Sequence, residues 1–266
     1  MPARHPADLV VRARYREAIN FPDLTERLAL RLSSVLSYTA RAHFGAWHRK
    51  IGAPDFTDPR GVFTPLATVE IEVEDVAVDP RQRFQVRGET YLAKSVDQNG
   101  AVRNLMRQGK HTIYDARGTV VARARLTNVF TRYDPDPARR RVTELLGIDA
   151  LIAADRRPDF TEERERVWHY GQTDANRHVN GMEYLRSMEQ FVADGLHRAG
   201  HDLRRLFFRG ARIVYRKPCF RGEGYRRVAW YRGEAPLVVG GAFLKANDSP
   251  GARPADAVEL TLAQHE

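Results

Sequence analysis

Hydrophobic positions in the first half of the chain change from strand spacing to helical spacing and back. Residues 9–19 alternate as in a strand. Pro22 and Asp23 suit a helix start, and apolar residues then recur every three or four positions, which predicts one long helix that stops at Gly52. Patterns typical of strands follow at 63–78, 83–98, 103–118 and 119–134. The first half therefore predicts an α+β unit in which an antiparallel sheet wraps one helix.

The second half repeats this order of elements. Residues 164–172 have strand character, and a helical pattern begins at Asn180 or Gly181 and ends near Gly200. Four more strand patterns lie at 211–219, 224–233, 236–247 and 255–264. The halves share an order of elements but little residue identity.

This repetition predicts the domain organisation. Residues 135–160 are rich in Pro, Asp and Arg, and we interpret them as a linker. The chain then consists of an N-terminal module over 1–134 and a C-terminal module over 161–266. Two similar α+β modules in one chain are expected to form a pseudo-dimer.

Composition places the chain among globular proteins, because 42% hydrophobic residues suffice for a core. No apolar run reaches the roughly 20 residues that a membrane-spanning helix needs. The first residues lack the apolar stretch of a signal peptide. With the single cysteine Cys219, no internal disulfide can form. We therefore expect a cytoplasmic protein without a membrane span.

The net charge of +9 comes mainly from arginine and is concentrated over 203–234. Such a field attracts polyanions. Aromatic residues between the arginines are compatible with nucleic acid, while an acidic carrier protein or a phosphorylated cofactor fits the charge as well. A solvated arginine-rich face explains the pattern equally, so charge alone does not choose a function.

The candidate chemistry lies in TDANRHVNGMEYL, residues 173–185. Asp174, Asn176 and His178 occupy every second position and, in an extended chain, project to one side. A carboxylate, an amide and an imidazole beside the N–H groups of a helix start are the parts of an acyl-transfer site. The alternative is a turn of Asp and Asn followed by an Asn180 cap. No second ligand cluster accompanies the motif, so no metal is expected.

The stretch D-A-N-R-H-V-N followed by Tyr184 resembles the motif D-x-N-x-H-V-N-N-x-x-Y of acyl-acyl carrier protein (ACP) thioesterases. These enzymes contain two hotdog modules, each a long helix wrapped by an antiparallel sheet. The strand YRKPC over 215–219 resembles the family stretch Y-R-R-E-C. The resemblance implies hydrolysis of an acyl thioester on ACP or coenzyme A, without a cofactor, in fatty acid, lipid or polyketide metabolism.

The resemblance also implies roles for individual residues. Asp174 would activate water or attack directly, while Asn176 and His178 would orient the water and the substrate. Substrate binding would involve Asn180, Gly181 and Tyr184. Carrier binding would involve Arg212, Arg216 and Lys217.

The sequence departs from the family pattern at two positions. Pro218 stands where Y-R-R-E-C has its acid, and Gly181 replaces the second Asn of the H-V-N-N run. Without that acid, Glu189 on the inward helix face is a candidate base. Cys219 is a candidate nucleophile, although a lone buried cysteine is usually a small hydrophobe.

Other functions remain open at this point. An acyltransferase that moves the acyl group to an amine or alcohol in a secondary-metabolite pathway would need no strong base to activate water. A non-catalytic module that binds acyl carriers or nucleic acid would use the motif only structurally. Enoyl hydratases have a motif that resembles D-x-N-P-x-H. In this chain the histidine follows the aspartate by four residues instead of five, and no proline follows Asn176, so the motif does not match. The acyl chain, the choice between ACP and coenzyme A, and a monomeric or dimeric state stay open.

Overall fold

A computed structural model describes most of the chain and divides it into two units. The described residues are 10–51, 62–100, 102–132, 157–174, 178–233, 236–248 and 254–265. The first unit comprises Met1–Leu30 and Ser34–Thr143, and the second comprises Arg31–Ser33 and Glu144–Glu266. Most of the interpreted linker and the candidate Asn176 lie outside the described residues, so both stay predictions.

The first unit contains one long helix and an antiparallel sheet of five strands in the order β1-β4-β5-β6-β3, with a short β2–β7 pair beside it. Its elements are β1 (Val10–Ala18), α1 (Leu32–Ile51), β2 (Val62–Phe63), β3 (Leu66–Val73), β4 (Arg83–Val96), β5 (Val102–Tyr114), β6 (Val120–Val129) and β7 (Thr131–Arg132).

The second unit has the same arrangement, with the order β8-β11-β12-β13-β10 and β9 also paired to β11. Its elements are β8 (Phe160–Thr161), β9 (Arg166–Val167), α2 (Gly181–Arg198), β10 (Leu206–Tyr215), β11 (Gly224–Arg232), β12 (Leu237–Lys245) and β13 (Asp256–Gln264). The predicted α+β class with two repeated modules, each a helix against an antiparallel sheet, is confirmed.

The first helix begins later than the sequence pattern predicted. It starts at Leu32, not at Pro22, because the chain first forms a 3-10 turn over Phe21–Asp23. Leu24 then forms an antiparallel bridge with Leu30. Leu28, between them, has a φ of 62°, a left-handed conformation that no helix contains. The apolar residues of this loop imitate helical spacing but belong to a folded-back turn.

The same entry loop precedes the second helix. A 3-10 turn at Tyr170–Gln172 leads to an antiparallel bridge between Thr173 and Val179, and α2 follows at Gly181. The repeat therefore includes the approach to the helix as well as the helix and sheet. The candidate motif occupies this loop in the second unit.

The strand predicted at 164–172 is much shorter than expected. Only Arg166–Val167 is strand there, and Phe160–Thr161 forms a separate piece. Glu162 lies between them, and its carboxylate accepts hydrogen bonds from the backbone N–H and the guanidinium of Arg227 in β11. Arg227 also donates to the Ser187 carbonyl of α2 at 2.6 Å. One buried ion pair thus connects the strand edge, the sheet and the helix of the second unit.

The core of the first unit contains a polar group that the sequence pattern did not indicate. His43 in α1 contacts Asn128 at 2.8 Å and His111 at 3.3 Å, and all three side chains are buried. Gly88 and Gly109 leave room for the rings, since a Cβ on either would lie within 2.1 or 2.2 Å of an imidazole nitrogen. Burial lowers the pKa of His111 to about 4, so it is neutral at pH 7.

Replacing Arg227 with Met should strongly destabilise the protein, because Glu162 would remain buried with only Arg166, whose side chain is 62% exposed, as a cationic partner. We expect a loss of about 3–5 kcal/mol in the free energy of unfolding, measured by urea denaturation. The double variant Glu162→Leu/Arg227→Met should recover much of this loss.

The control is Arg204→Met, which removes an exposed ion pair with Asp202 and should change stability far less. Equal losses in Arg227→Met and Arg204→Met would contradict the importance of the buried pair.

Candidate active site

Backbone hydrogen bonds close the loop that carries the motif. The N–H of Asp174 donates to the His178 carbonyl at 2.9 Å, and the N–H of Asn180 donates to the Gln172 carbonyl at 2.8 Å. These bonds place Asp174 and His178 opposite each other across the loop. Asp174 is exposed and His178 is half-buried, so a carboxylate open to water lies beside a sheltered imidazole.

Asn180 caps the second helix. Its backbone is extended, and its side-chain oxygen accepts from the N–H of Met182 at 3.0 Å. The helix therefore starts at Gly181, as the sequence predicted. This geometry is compatible with both interpretations of the motif, a turn with a helix cap and an acyl-transfer site, because the cap follows shortly after His178. The amide of Asn180 is engaged in capping, so its predicted contact with substrate has no direct support.

His178 is held by Phe220. The two residues form an antiparallel backbone bridge, and their rings meet edge to face with centroids 5.0 Å apart. Burial lowers the pKa of His178 and Lys245 adds to this effect, while the charge of Asp174 opposes it. The neutral imidazole, which can accept or donate a proton, is therefore favoured near pH 7.

Gly181 provides room for Tyr215. The Tyr215 hydroxyl donates to the Gly181 carbonyl at 3.0 Å, and a Cβ on Gly181 would lie only 2.9 Å from that hydroxyl. This contact explains in physical terms why glycine occupies the position where the similar family has asparagine. Gly181 contributes backbone to the site and no side chain.

Tyr184 lies in the core, not on the surface of the loop. It is 3% exposed, and its ring contacts Trp168 and Phe243. Its hydroxyl accepts from the N–H of Cys219 at 3.1 Å. The phenol thus supports the backbone beside the site, and a role for Tyr184 in substrate binding stays a prediction.

Cys219 is also a core residue. It is 1% exposed, and burial, with the nearby Asp256, raises the pKa of its thiol to about 12. A thiol that stays protonated at pH 7 is a poor nucleophile, so the environment argues against that predicted role. Its carbonyl accepts from the N–H of Val179 at 2.8 Å and so joins the segment that follows β10 to the motif loop.

Glu189 contacts the residues at the start of α1. Its carboxylate accepts from the N–H of Leu32 at 3.3 Å and interacts with Ser33, in the short segment Arg31–Ser33 of the second unit. Burial raises its pKa to about 7. The partners described for it belong to this segment and include neither Asp174 nor His178, and its role as a replacement base stays a prediction.

A lysine and a glutamate surround the turn after Pro218, the residue that aligns with the acid of Y-R-R-E-C. The Pro218 carbonyl accepts from Lys245 Nζ at 2.7 Å, and Glu223 Oε2 accepts from the same Nζ at 2.9 Å. Glu223 also accepts from the N–H of Phe220 at 3.0 Å. The sequence did not indicate Lys245 or Glu223, because no short motif links these separated positions.

Asp256 is a buried carboxyl behind the site. It is 1% exposed, and Oδ1 accepts from the N–H of Arg216 at 3.3 Å. Oδ2 has no hydrogen-bond partner among the described residues. Burial raises the pKa of Asp256 to about 8, although Arg216 and Lys245 oppose this shift. The carboxyl is therefore mostly protonated at pH 7.

The predicted carrier-binding residues are largely engaged within the second unit. Arg212 pairs with Glu259 and Lys217 with Asp248, each at 3.2 Å. Arg216 is half-buried just after β10. An acidic partner would compete with these ion pairs, and a role in carrier binding stays a prediction.

Two further features concern ligands and membranes. Among the described residues, no group of three or more His, Cys, Asp or Glu side chains could hold a metal ion. None of the helices in the described part of the chain is long and apolar enough to cross a membrane.

The fold is shared with known thioesterases. No protein-family model matches the chain, and no curated protein is a significant match in sequence. The chain is similar to an acyl-ACP thioesterase of Bacteroides thetaiotaomicron, with a TM-score of 0.66 and 13% identity, covering 94% of this chain and 97% of that one. It is also similar to the 12:0-ACP thioesterase of Umbellularia californica, with a TM-score of 0.68 and 14% identity, covering 96% and 94%. The chain thus has the tandem hotdog fold of these thioesterases.

Asp256→Asn should remove a pH dependence of stability. Because the folded pKa of about 8 lies above the ordinary value of 3.8, the folded state binds more protons than the unfolded state between these pH values. The contribution of Asp256 to the free energy of unfolding should therefore fall as pH rises through this window, by at most about 1.4 kcal/mol per pH unit. Thermal unfolding from pH 4 to 9 should show a flatter profile for Asp256→Asn.

Asp194→Asn serves as the control, since Asp194 is exposed on α2. Its profile should follow the wild type. A parallel profile for Asp256→Asn would show that Asp256 does not titrate between pH 4 and 8 in the folded protein.

Proposed function

We propose that this protein is a thioesterase that hydrolyses an acyl thioester carried on ACP or coenzyme A. The observation that carries the proposal is the pairing of an exposed Asp174 with a sheltered His178 across a loop at the start of α2. The tandem hotdog fold, shared with proteins described as acyl-ACP thioesterases, supports this reaction class. The motif that resembles theirs lies in that same loop.

The proposed reaction uses one water molecule. Asp174, open to solvent, accepts a proton from water as the water oxygen attacks the thioester carbonyl carbon. N–H groups in the first turn of α2 stabilise the negative charge on the carbonyl oxygen. The carbon–sulfur bond then breaks, and the thiolate leaves and takes up a proton. Neutral His178 and, by the family resemblance, Asn176 orient the water and the carbonyl.

The surroundings of the loop suit a phosphopantetheine arm. Tyr170 and Phe220 are both exposed, and the Arg221 guanidinium lies 5.7 Å from the Tyr170 ring centroid. An apolar and cationic rim beside Asp174 would accept the arm and its phosphate. The net charge of +9 favours an acidic carrier. We place the reaction in the cytoplasm, in fatty acid or polyketide metabolism.

Acyl transfer to an amine or alcohol is a second candidate. The observation that favours it is the lysine-bonded carbonyl at Pro218, in place of the carboxylate of the similar family. A site without that carboxylate has a weaker general base. It would favour an attacking group that is more nucleophilic than water, such as an amine.

Asp174→Ala should lower kcat/KM for an acyl-ACP substrate by about 100-fold or more, because the proton acceptor is removed. Since Asp174 is exposed, the melting temperature of the Asp174→Ala variant should stay close to that of the wild type. Asp194→Ala is the control and should retain wild-type activity. Release of free acid by Asp174→Ala at the wild-type rate would rule out the proposed role.

Product analysis separates hydrolysis from transfer. The purified protein is incubated with acyl-ACP alone and with a panel of amines and alcohols. Hydrolysis predicts free acid as the main product in every reaction. An amide or ester that replaces the acid, with little turnover in its absence, would favour transfer.

A further inference from the structure

Lys245 connects β12 to the turn that follows Cys219. Its Nζ donates to the Pro218 carbonyl at 2.7 Å and to Glu223 Oε2 at 2.9 Å. The side chain is only 18% exposed, and Nζ lies 5.7 Å from the Phe220 ring centroid. Lys245 is therefore a largely buried cation with defined partners.

The turn depends on Glu223 for its closure. The N–H of Glu223 donates to the Phe220 carbonyl at 3.1 Å, and its carboxylate accepts from the N–H of Phe220 at 3.0 Å. Gly222, with a φ of 82°, supplies the left-handed residue that the turn requires. Lys245 binds both the carbonyl that precedes this turn and the carboxylate that closes it.

This turn also holds the motif loop in place. Phe220 forms the backbone bridge to His178 and packs against its ring. The adjacent Cys219 carbonyl accepts from the N–H of Val179 at 2.8 Å. Two successive residues of the loop, His178 and Val179, are thus bonded to the turn and to the residue before it. A shift of the turn would therefore also move His178.

We propose that Lys245 is a positioning residue for His178, which fixes the turn against the imidazole through the Pro218 carbonyl and the Glu223 carboxylate and supplies a positive charge near the ring. The catalytic side of this inference rests on the proposed thioesterase function. The charged groups that act on His178 are Asp174 and Lys245, with opposite effects on its protonation. Lys245 favours the neutral ring, which suits a residue that orients water and carbonyl.

Charge and hydrogen bonding can be separated by substitution. Lys245→Arg retains both, Lys245→Gln retains a donor without the charge, and Lys245→Met retains only the length of the side chain. Lys110→Met is the matched control, because Lys110 is exposed on β5 in the first unit. Thermal unfolding of each variant establishes that it is folded.

The primary measurement is an NMR titration of the His178 imidazole in the full-length protein, with the signal assigned through His178→Gln. Lys245→Met and Lys245→Gln should raise the pKa of His178, whereas Lys245→Arg and Lys110→Met should leave it near the wild-type value. With acyl-ACP, Lys245→Met should lower kcat about tenfold with a smaller effect on KM. Lys245→Arg should recover most of kcat.

An unchanged His178 pKa in folded Lys245→Gln or Lys245→Met would overturn the inference. Unchanged kcat in both variants would overturn it as well. The titration needs no substrate, so it distinguishes the two proposals. A pKa rise without any wild-type hydrolysis would reject the thioesterase function alone, and normal hydrolysis without a pKa rise would reject the role of Lys245 alone.

Discussion

The hydrogen bond that the backbone N–H of Val179 donates to the Cys219 carbonyl fixes the candidate site to the segment that follows β10 in the second unit. Buried backbone groups must be paired, so this contact strongly constrains where the loop can lie. Next to it, Tyr184 satisfies the N–H of Cys219 and connects the same point to α2. The start of α2, the imidazole of His178 and the segment that follows β10 are therefore positioned together, and the chemistry of the site depends on this arrangement.

Each unit has an entry loop of the same backbone shape, but the residues on the two loops differ. In the first unit, the N–H of Thr25 donates to the Ala29 carbonyl at 2.8 Å, as that of Asp174 does to His178 in the second. Threonine and alanine thus occupy the places of the carboxylate and the imidazole. The loop is a structural device for entering the helix, and only in the second unit do a carboxylate and an imidazole stand at the two positions that this bond joins.

Local patterns in the sequence were sufficient to predict the repeated modules, the start of α2 and the Asn180 cap. The start of α1 was misplaced because Leu24, Leu28 and Leu32 recur every four residues as in a helix, although Leu24 and Leu28 belong to the entry loop. Lys245 and Asp256 escaped prediction for another reason. Strand pairing brings them to the site from distant parts of the chain, and no short-range pattern encodes such a meeting.

The central claim is that Asp174 and His178 act as one unit in thioester hydrolysis. A double-mutant cycle on kcat/KM with Asp174→Ala, His178→Ala and the double variant tests it most directly. The account predicts that the double variant is scarcely slower than the worse single variant, because each substitution disables the same step. Losses that multiply independently, or a single variant with wild-type activity, would contradict it.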